Sequence, residues 1–303
     1  MQELAKAFVC VMDDINPLQT GQRAGQESDL FRAIAAKGPG GGRAGTTQQG
    51  TYCFAPSGEV LSADNSRDPK RIARGLRDAL ARWQELPKAQ RLRAQAPTRD
   101  NVRRPEESYP KDGLVLRSYS RDLPPTDGHK KRRLGEVESP WNTDVVWFRA
   151  DEMKQWLPAA LSKGSKHTVP DRIVRRLAQF SFIDNVVGQA TPFQERCIEK
   201  ASITVEVIAV TKDAVTLRLV GESKAADGAR RFATTMLGSA TWNPSKGRFT
   251  AFELVAVGTR SASTHRNAPD DGGTDYPVGV VLRLASDSPV DKVAPSYFGA
   301  YRW

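Results

Sequence analysis

The chain has little of what redox, disulfide-stapled or metal-dependent proteins usually carry. Its 303 residues include three cysteines, Cys10, Cys53 and Cys197, and no Cys-x-x-Cys occurs anywhere. That excludes a disulfide framework. The histidines are only His129, His167 and His265, too scattered for His-Glu-x-x-His or any paired zinc spacing. Gly-x-Ser-x-Gly, the nucleophile elbow of the α/β-hydrolases, is absent. A Ser, His and Asp converging from distant stretches stays open, because triads are defined by geometry. No apolar run approaches the roughly 20 residues of a membrane helix. The N-terminus lacks the basic segment and apolar core of a signal peptide, which at face value points to the cytoplasm; a trimmed chain would read the same way.

What is present suits a globular protein of two domains. Hydrophobic residues make up 39% and charged residues 26%, ordinary values for a soluble chain. The net charge of +10 invites nucleic acid or anionic surfaces as partners. Residues 87–133 alone hold 13 Lys/Arg against 6 Asp/Glu, so the surplus sits mostly in one connecting segment. Arg103, Arg104 and the run Lys130 to Arg133 could contact phosphates, but no aromatic residues for base stacking accompany them. Nucleic-acid binding therefore ranks below a solvated linker. The Gly-rich stretch Lys37–Thr47 lacks the Lys-Ser/Thr of a phosphate loop and precedes a strand, so it reads as a plain loop.

The stretch Gly50–Trp83 is the most legible. Thr51 to Phe54 have strand composition, Pro56, Ser57 and Gly58 give a tight turn, and Glu59 to Leu61 return as the paired strand. Asp68 before Pro69 is a helix start. Ile72, Leu76, Ala79, Leu80 and Trp83 then share one face, and Leu86-Pro87 ends the helix. Upstream, Leu4 to Phe8 read as a helix end, Phe8 to Met12 as a strand, and Asn16 to Gln26 as a loop. Ser28 or Asp29 starts a short helix through Ala35.

This strand–turn–strand–helix order resembles the second half of a thioredoxin-like domain, over about the first 85 residues. The resemblance implies a first strand and a Cys-x-x-Cys helix before this point, yet the chain begins at Met1. It therefore implies a degenerate domain without redox activity, or an internal start. Cys10 and Cys53 fall on strands expected to be neighbours, where two small buried apolar residues are the preferred reading over a pair.

Residues 87–140 read as a basic, Pro-rich linker with one short strand, Leu114–Tyr119. From Trp141 a second domain begins. Asp151 caps a helix with Met153, Trp156 and Leu157 on its apolar face. A second helix runs from Thr168 to Phe180, with Ile173, Val174, Leu177 and Phe180 on one side and Arg172, Arg175 and Arg176 on a wet face. From Ala201 the period changes to two: Ile203, Val205 and Val207, a turn at Lys212-Asp213, then Val215, Leu217 and Leu219. Strands at Arg231–Trp242, Arg248–Val257 and Val278–Ala285 follow, implying an antiparallel meander that closes as a sandwich or partial barrel. The expected class is α+β, with domains 1–86 and 141–303. LRSYSRDL, WNTDVVWF and RFTAFELVAVG look like the C-terminal part of large exported bacterial proteins of unassigned function, which implies an extracytoplasmic location and no particular chemistry.

Chemistry-bearing candidates are few. His265 precedes Asp270, Asp271 and Asp275 in the loop HRNAPDDGGTD. Three carboxylates in six positions could take calcium through oxygen ligands, though the spacing departs from an EF-hand and a solvated turn ranks first; no other cofactor is expected. His265, Asp271 and Cys53 are the candidate catalytic residues. Asp184-Asn185, a polar pair in an apolar segment, either satisfies backbone groups or lines a pocket. Three functions follow, in order. The first is a binding or scaffolding protein with a small-molecule or protein partner. The second is a hydrolase of small esters or lactones. The third is non-specific nucleic-acid binding.

Overall fold

Gly50–Trp83 folds as its pattern dictates. The computed structural model describes residues 2–11, 15–20, 25–39, 41, 48–66, 68–92, 105–124, 133–134, 137–138, 141–186, 188, 190–261 and 275–303. These divide into two compact units, Met1–Arg103 and Arg104–Trp303. The division falls beyond the expected boundary at residue 86.

The first unit contains α1 (Gln2–Ala5), α2 (Ile15–Thr20), α3 (Gln26–Ala35), strands β1 (Thr51–Phe54) and β2 (Val60–Asp64), α4 (Pro69–Glu85) and α5 (Lys88–Arg91). β1 and β2 pair antiparallel, with Tyr52 opposite Ala63 and Phe54 opposite Val60. Gly58 turns the hairpin at φ 89°, a conformation that suits glycine. Asp68 accepts from the Lys70 N–H at 2.9 Å and Pro69 opens α4, so two orphan positions of the first turn are resolved locally. α4 lays Leu76 and Ala79 on Cys53 and Leu61, with Leu4, Phe8, Ile72, Trp83 and Leu86 around them. Arg71 holds Asp64 through two hydrogen bonds of 3.0 and 3.1 Å.

Two expectations fail here. No strand forms over the described part of Phe8–Met12: Val9 and Val11 are almost fully exposed, so nothing apolar remains to hold them against β1. Cys10 is accordingly exposed and off any strand, and Cys10 and Cys53 are both free thiols. Part of the expected loop from Asn16 is helical, as α2, with Leu18 buried.

The second unit comprises β3 (Leu114–Asp122), the two-residue strands β4 (Arg133–Leu134) and β5 (Val137–Glu138), β6 (Trp141–Phe148), α6 (Ala150–Lys154), β7 (Lys166–Thr168), α7 (Asp171–Phe180), β8 (Ile198–Val210), β9 (Val215–Asp227), β10 (Arg230–Asn243), β11 (Arg248–Ser261) and β12 (Tyr276–Leu284). Eight strands form one antiparallel sheet in the order β6-β3-β12-β11-β10-β9-β8-β7. The unit is thus α+β. The meander β8–β12 stands as the alternation implied, but one sheet holds every long strand, so the sandwich alternative falls. β3, assigned to the linker by its surroundings, lies inside the sheet between β6 and β12.

One face of this sheet carries the core. Leu116 and Val146 from one side, Val205 and Val207 from the other, and Met153, Trp156, Ile173, Val174 and Leu177 from the helical segments join one cluster. Such a cluster requires a curled sheet. Gly238 and Gly258 lie on that inner face; a Cβ at Gly258 would sit 1.8 Å from the Ala233 carbonyl oxygen, and at Gly238 2.4 Å from that of Glu253. Missing side chains on the concave face let neighbouring strands close in, the usual origin of sheet curvature.

The expected second helix starts three residues late, because Thr168 pairs with Thr204 as part of β7. α6 starts at Ala150, with Arg149 rather than Asp151 at its N-cap. Arg176 leaves the expected wet face. It donates to both oxygens of the buried Glu152 at 2.7 and 3.0 Å and to the Trp147 carbonyl at 3.2 Å. Rings of Phe148, Tyr301 and Trp303 lie within 4.8–5.7 Å of its guanidinium. The Trp147 backbone N–H donates to the Tyr301 hydroxyl oxygen. The C-terminal segment thus packs Phe298, Tyr301 and Trp303 around Trp147 on β6.

Candidate functional site

β3, β11 and β12 each place a polar side chain at inward-facing positions near one end of the curled sheet. Along β3 the inward residues are Ser118, Ser120 and Asp122, all buried. β11 ends in Arg260 and Ser261, each 1% exposed, and β12 begins with the buried Tyr276 opposite Arg260. Asp184 approaches from the segment after α7, and Ser223 and Thr234 share a buried hydrogen bond of 2.9 Å nearer the middle.

Arg260 organises this end. Its Nε and Nη2 donate to Asp122 Oδ1 at 3.3 and 3.0 Å, its Nε lies 3.4 Å from Asp184 Oδ2, and its guanidinium stands 4.9 Å from the Tyr276 ring. A buried guanidinium demands such company, since an unpaired charge in a dry interior costs several kcal/mol. Among the described residues, Arg260 Nη1 and Ser261 Oγ are buried with no hydrogen-bond partner. Both residues line a small depression bounded also by Ile183, Asp184, Phe193 and Arg230. Its interior has room for one water-sized group at most. Arg230 stacks on Phe193 at 4.2 Å and pairs with Asp227 at 3.1 Å.

The sequence candidates distribute unevenly. Asp184 joins this cluster, while Asn185 accepts from the Asn142 side chain at 2.9 Å through its carbonyl, so the pair divides between a pocket and a structural bond. Asp275 pairs with Arg231 at 3.3 Å on the exposed rim. His265, Asp270 and Asp271 lie outside the described residues, as do Arg103, Arg104 and Lys130–Arg132. Among the described residues no group of three or more His, Cys, Asp or Glu is placed to hold a metal ion, and no helix is long and apolar enough to cross a membrane. Cys53 is buried in the first unit, where desolvation, helped by nearby Cys10, pushes its thiol above the ordinary range, the reverse of what a nucleophilic thiolate needs.

Asp144 on β6 is a carboxylate with a displaced pKa. Burial raises it, against hydrogen bonds from the Val145 and Ser296 N–H groups at 2.8 and 3.1 Å. Its neighbour Tyr297 is pushed up to about 12 by burial and then by Asp144. These groups fasten the C-terminal segment to β6.

Arg260 and Asp122 were not singled out by sequence reasoning. The available signal was the run of polar residues at alternating positions of β3, which is unusual for a buried strand face. No protein-family model, curated protein or solved structure matches this chain.

Proposed function

We propose that the chain is a non-redox binding protein, whose second unit receives an uncharged hydrogen-bond acceptor at the Arg260–Ser261 depression. The observation that carries this reading is two wholly buried donors, Arg260 Nη1 and Ser261 Oγ, that have no hydrogen-bond partner among the described residues and belong to residues lining one depression. Leaving such donors unmet costs about 1–3 kcal/mol each, so a group that satisfies both is bound with that advantage. Asp122 and Asp184 already balance the Arg260 charge, which favours a hydroxyl or carbonyl oxygen over an anion. The size of the opening admits that one oxygen, with the remainder of a sugar-like or amide ligand outside against Arg230 and Arg231.

For the first unit, the thioredoxin-like reading is supported by the β1–β2 hairpin, its Gly58 turn and the crossing α4. It lacks the strand expected over Phe8–Met12. The raised Cys53 thiol suits a scaffold better than a thiol catalyst.

Calorimetric titration with a panel of monosaccharides, small amides and small carboxylates tests the ligand class. Binding by a neutral polyol or amide, weakened at least five-fold in Ser261→Ala, is the expected result. Carboxylates binding best, or a hit indifferent to Ser261→Ala, would overturn it.

A further inference from the structure

The convex face of the large sheet carries a straight apolar row at one register level. Val220, Leu237, Val255 and Val281 lie side by side on β9, β10, β11 and β12, and Tyr119 on β3 extends the row. Leu237 is 63% exposed and Val220 49%. The next level of the same face holds Glu206, Arg218, Ser239, Glu253 and Arg283 on β8 to β12. Centred on β10, this charged row reads minus, plus, neutral, minus, plus. Reversed end for end, every charge meets its opposite.

We infer that this face is a self-complementary docking surface for a second copy of the chain, with a two-fold axis running along β10. A face placed against its own copy about such an axis sets Leu237 on Leu237, Val220 on Val255, Arg218 on Glu253 and Glu206 on Arg283. Packed sheets cross at about 30°. With strands about 4.8 Å apart and the charged row two residues along from Leu237, that rotation displaces the first charge pair by about 4 Å and the second by about 6 Å, distances that long side chains can span. Within each copy Arg218 already pairs with Glu206 and Arg283 with Glu253, both at 2.5 Å, so the contacts between copies extend these bridges into a four-charge network. One strand further out, Lys166 on β7 meets Arg117, which Asp291 holds in the same way. Glu222 faces Val257 and keeps its own partner Lys200 at 2.8 Å.

Size sets the strength. Five strand spacings by three residue pairs make a patch of roughly 24 by 20 Å, about 500 Å² per copy, against about 800 Å² for a standard interface. The dimer is therefore weak and concentration-dependent. Nothing in this inference rests on the ligand reading above.

Sedimentation equilibrium of the full chain, from about 1 to 300 μM, tests it. Monomer at the low end and substantial dimer at the high end are expected. Leu237→Lys places like charges on the axis and abolishes the dimer, with circular dichroism unchanged. Arg218→Glu alone weakens association at least ten-fold, and Arg218→Glu combined with Glu253→Arg restores it. Within one chain that double exchange sets the new carboxylate against Glu206 and the new guanidinium against Arg283, so rescue can only come from contacts between copies. A monomer throughout, a dimer indifferent to Leu237→Lys, or a double exchange no better than the single one overturns the inference.

Discussion

Replacing Arg260 by Met should be among the most damaging single changes in the second unit. Methionine fills much of the same volume but removes the charge that faces Asp122 at 3.0 Å and Asp184 at 3.4 Å. Both carboxylates are more than nine-tenths buried. Breaking a buried pair from one side costs about 3–5 kcal/mol, a large part of a total that for most domains is about 5–15 kcal/mol. Against a urea slope of about 2–3 kcal/mol per M, the unfolding midpoint should fall by about 1–2.5 M. Urea unfolding followed by near-ultraviolet circular dichroism and by the buried Trp147 and Trp156 reads that transition. Lys224→Met is the control, since Lys224 meets Glu199 at 2.7 Å with both side chains about half exposed, and exposed pairs contribute at most about 1 kcal/mol. A cycle with Asp122→Asn should show a coupling energy above about 1 kcal/mol. If Arg260→Met costs no more than the control, the cluster is not the organising feature of this end of the sheet.

Three further outcomes follow from other parts of the structure. Asp144 has a raised pKa in the folded state, so its ionised form opposes folding above that pKa and the opposition is relieved as pH falls through it; Asp144→Asn should raise the melting temperature at pH 7, with a gain that shrinks towards the unfolded carboxylate pKa. Alkylation by iodoacetamide at pH 8 should modify the exposed Cys10 quickly and the buried Cys53 only on unfolding, as peptide mass mapping over time will show. Equal rates for the two thiols would refute the burial argument. Gly258→Ala should lower stability by about 3 kcal/mol or more, because the new methyl meets the backbone of β10 and not a side chain that could move; unfolding within about 1 kcal/mol of the parent would refute the curvature account.

The hairpin, α4 and the meander could be read from the sequence because each rests on local rules. Asp68-Pro69 fixes a helix start, Gly58 a turn, and strict alternation from Ile203 to Leu219 a half-buried hairpin. The polar end of the sheet was hidden for the opposite reason. Along Arg117–Asp122 both faces are mostly polar, so alternation cannot say which residues point inward, and Arg260 looks like any outward arginine until Asp122, 138 residues earlier, is brought beside it. Arg176 misleads in the same way: three arginines on one helix read as a solvated face, and only the return of Glu152 buries one of them. The strand expected at Phe8–Met12 came from composition alone, which cannot supply the neighbour a strand needs. Asp184 was legible as an oddity, a charge within an apolar stretch, though not its partner.

The two flanks of the eight-stranded sheet have a consequence for how the protein avoids self-templating. On β6 the backbone at Trp147 is already engaged by Tyr301 and Arg176, while β7 at the opposite margin offers only three residues. An incoming strand therefore finds the Trp147 end of β6 taken and only three residues to pair with on β7, which narrows the kind of opening that seeds fibrils in other β proteins. Clipping Tyr301–Trp303 would remove that cover at Trp147 and widen the stretch of β6 on which a foreign strand can settle.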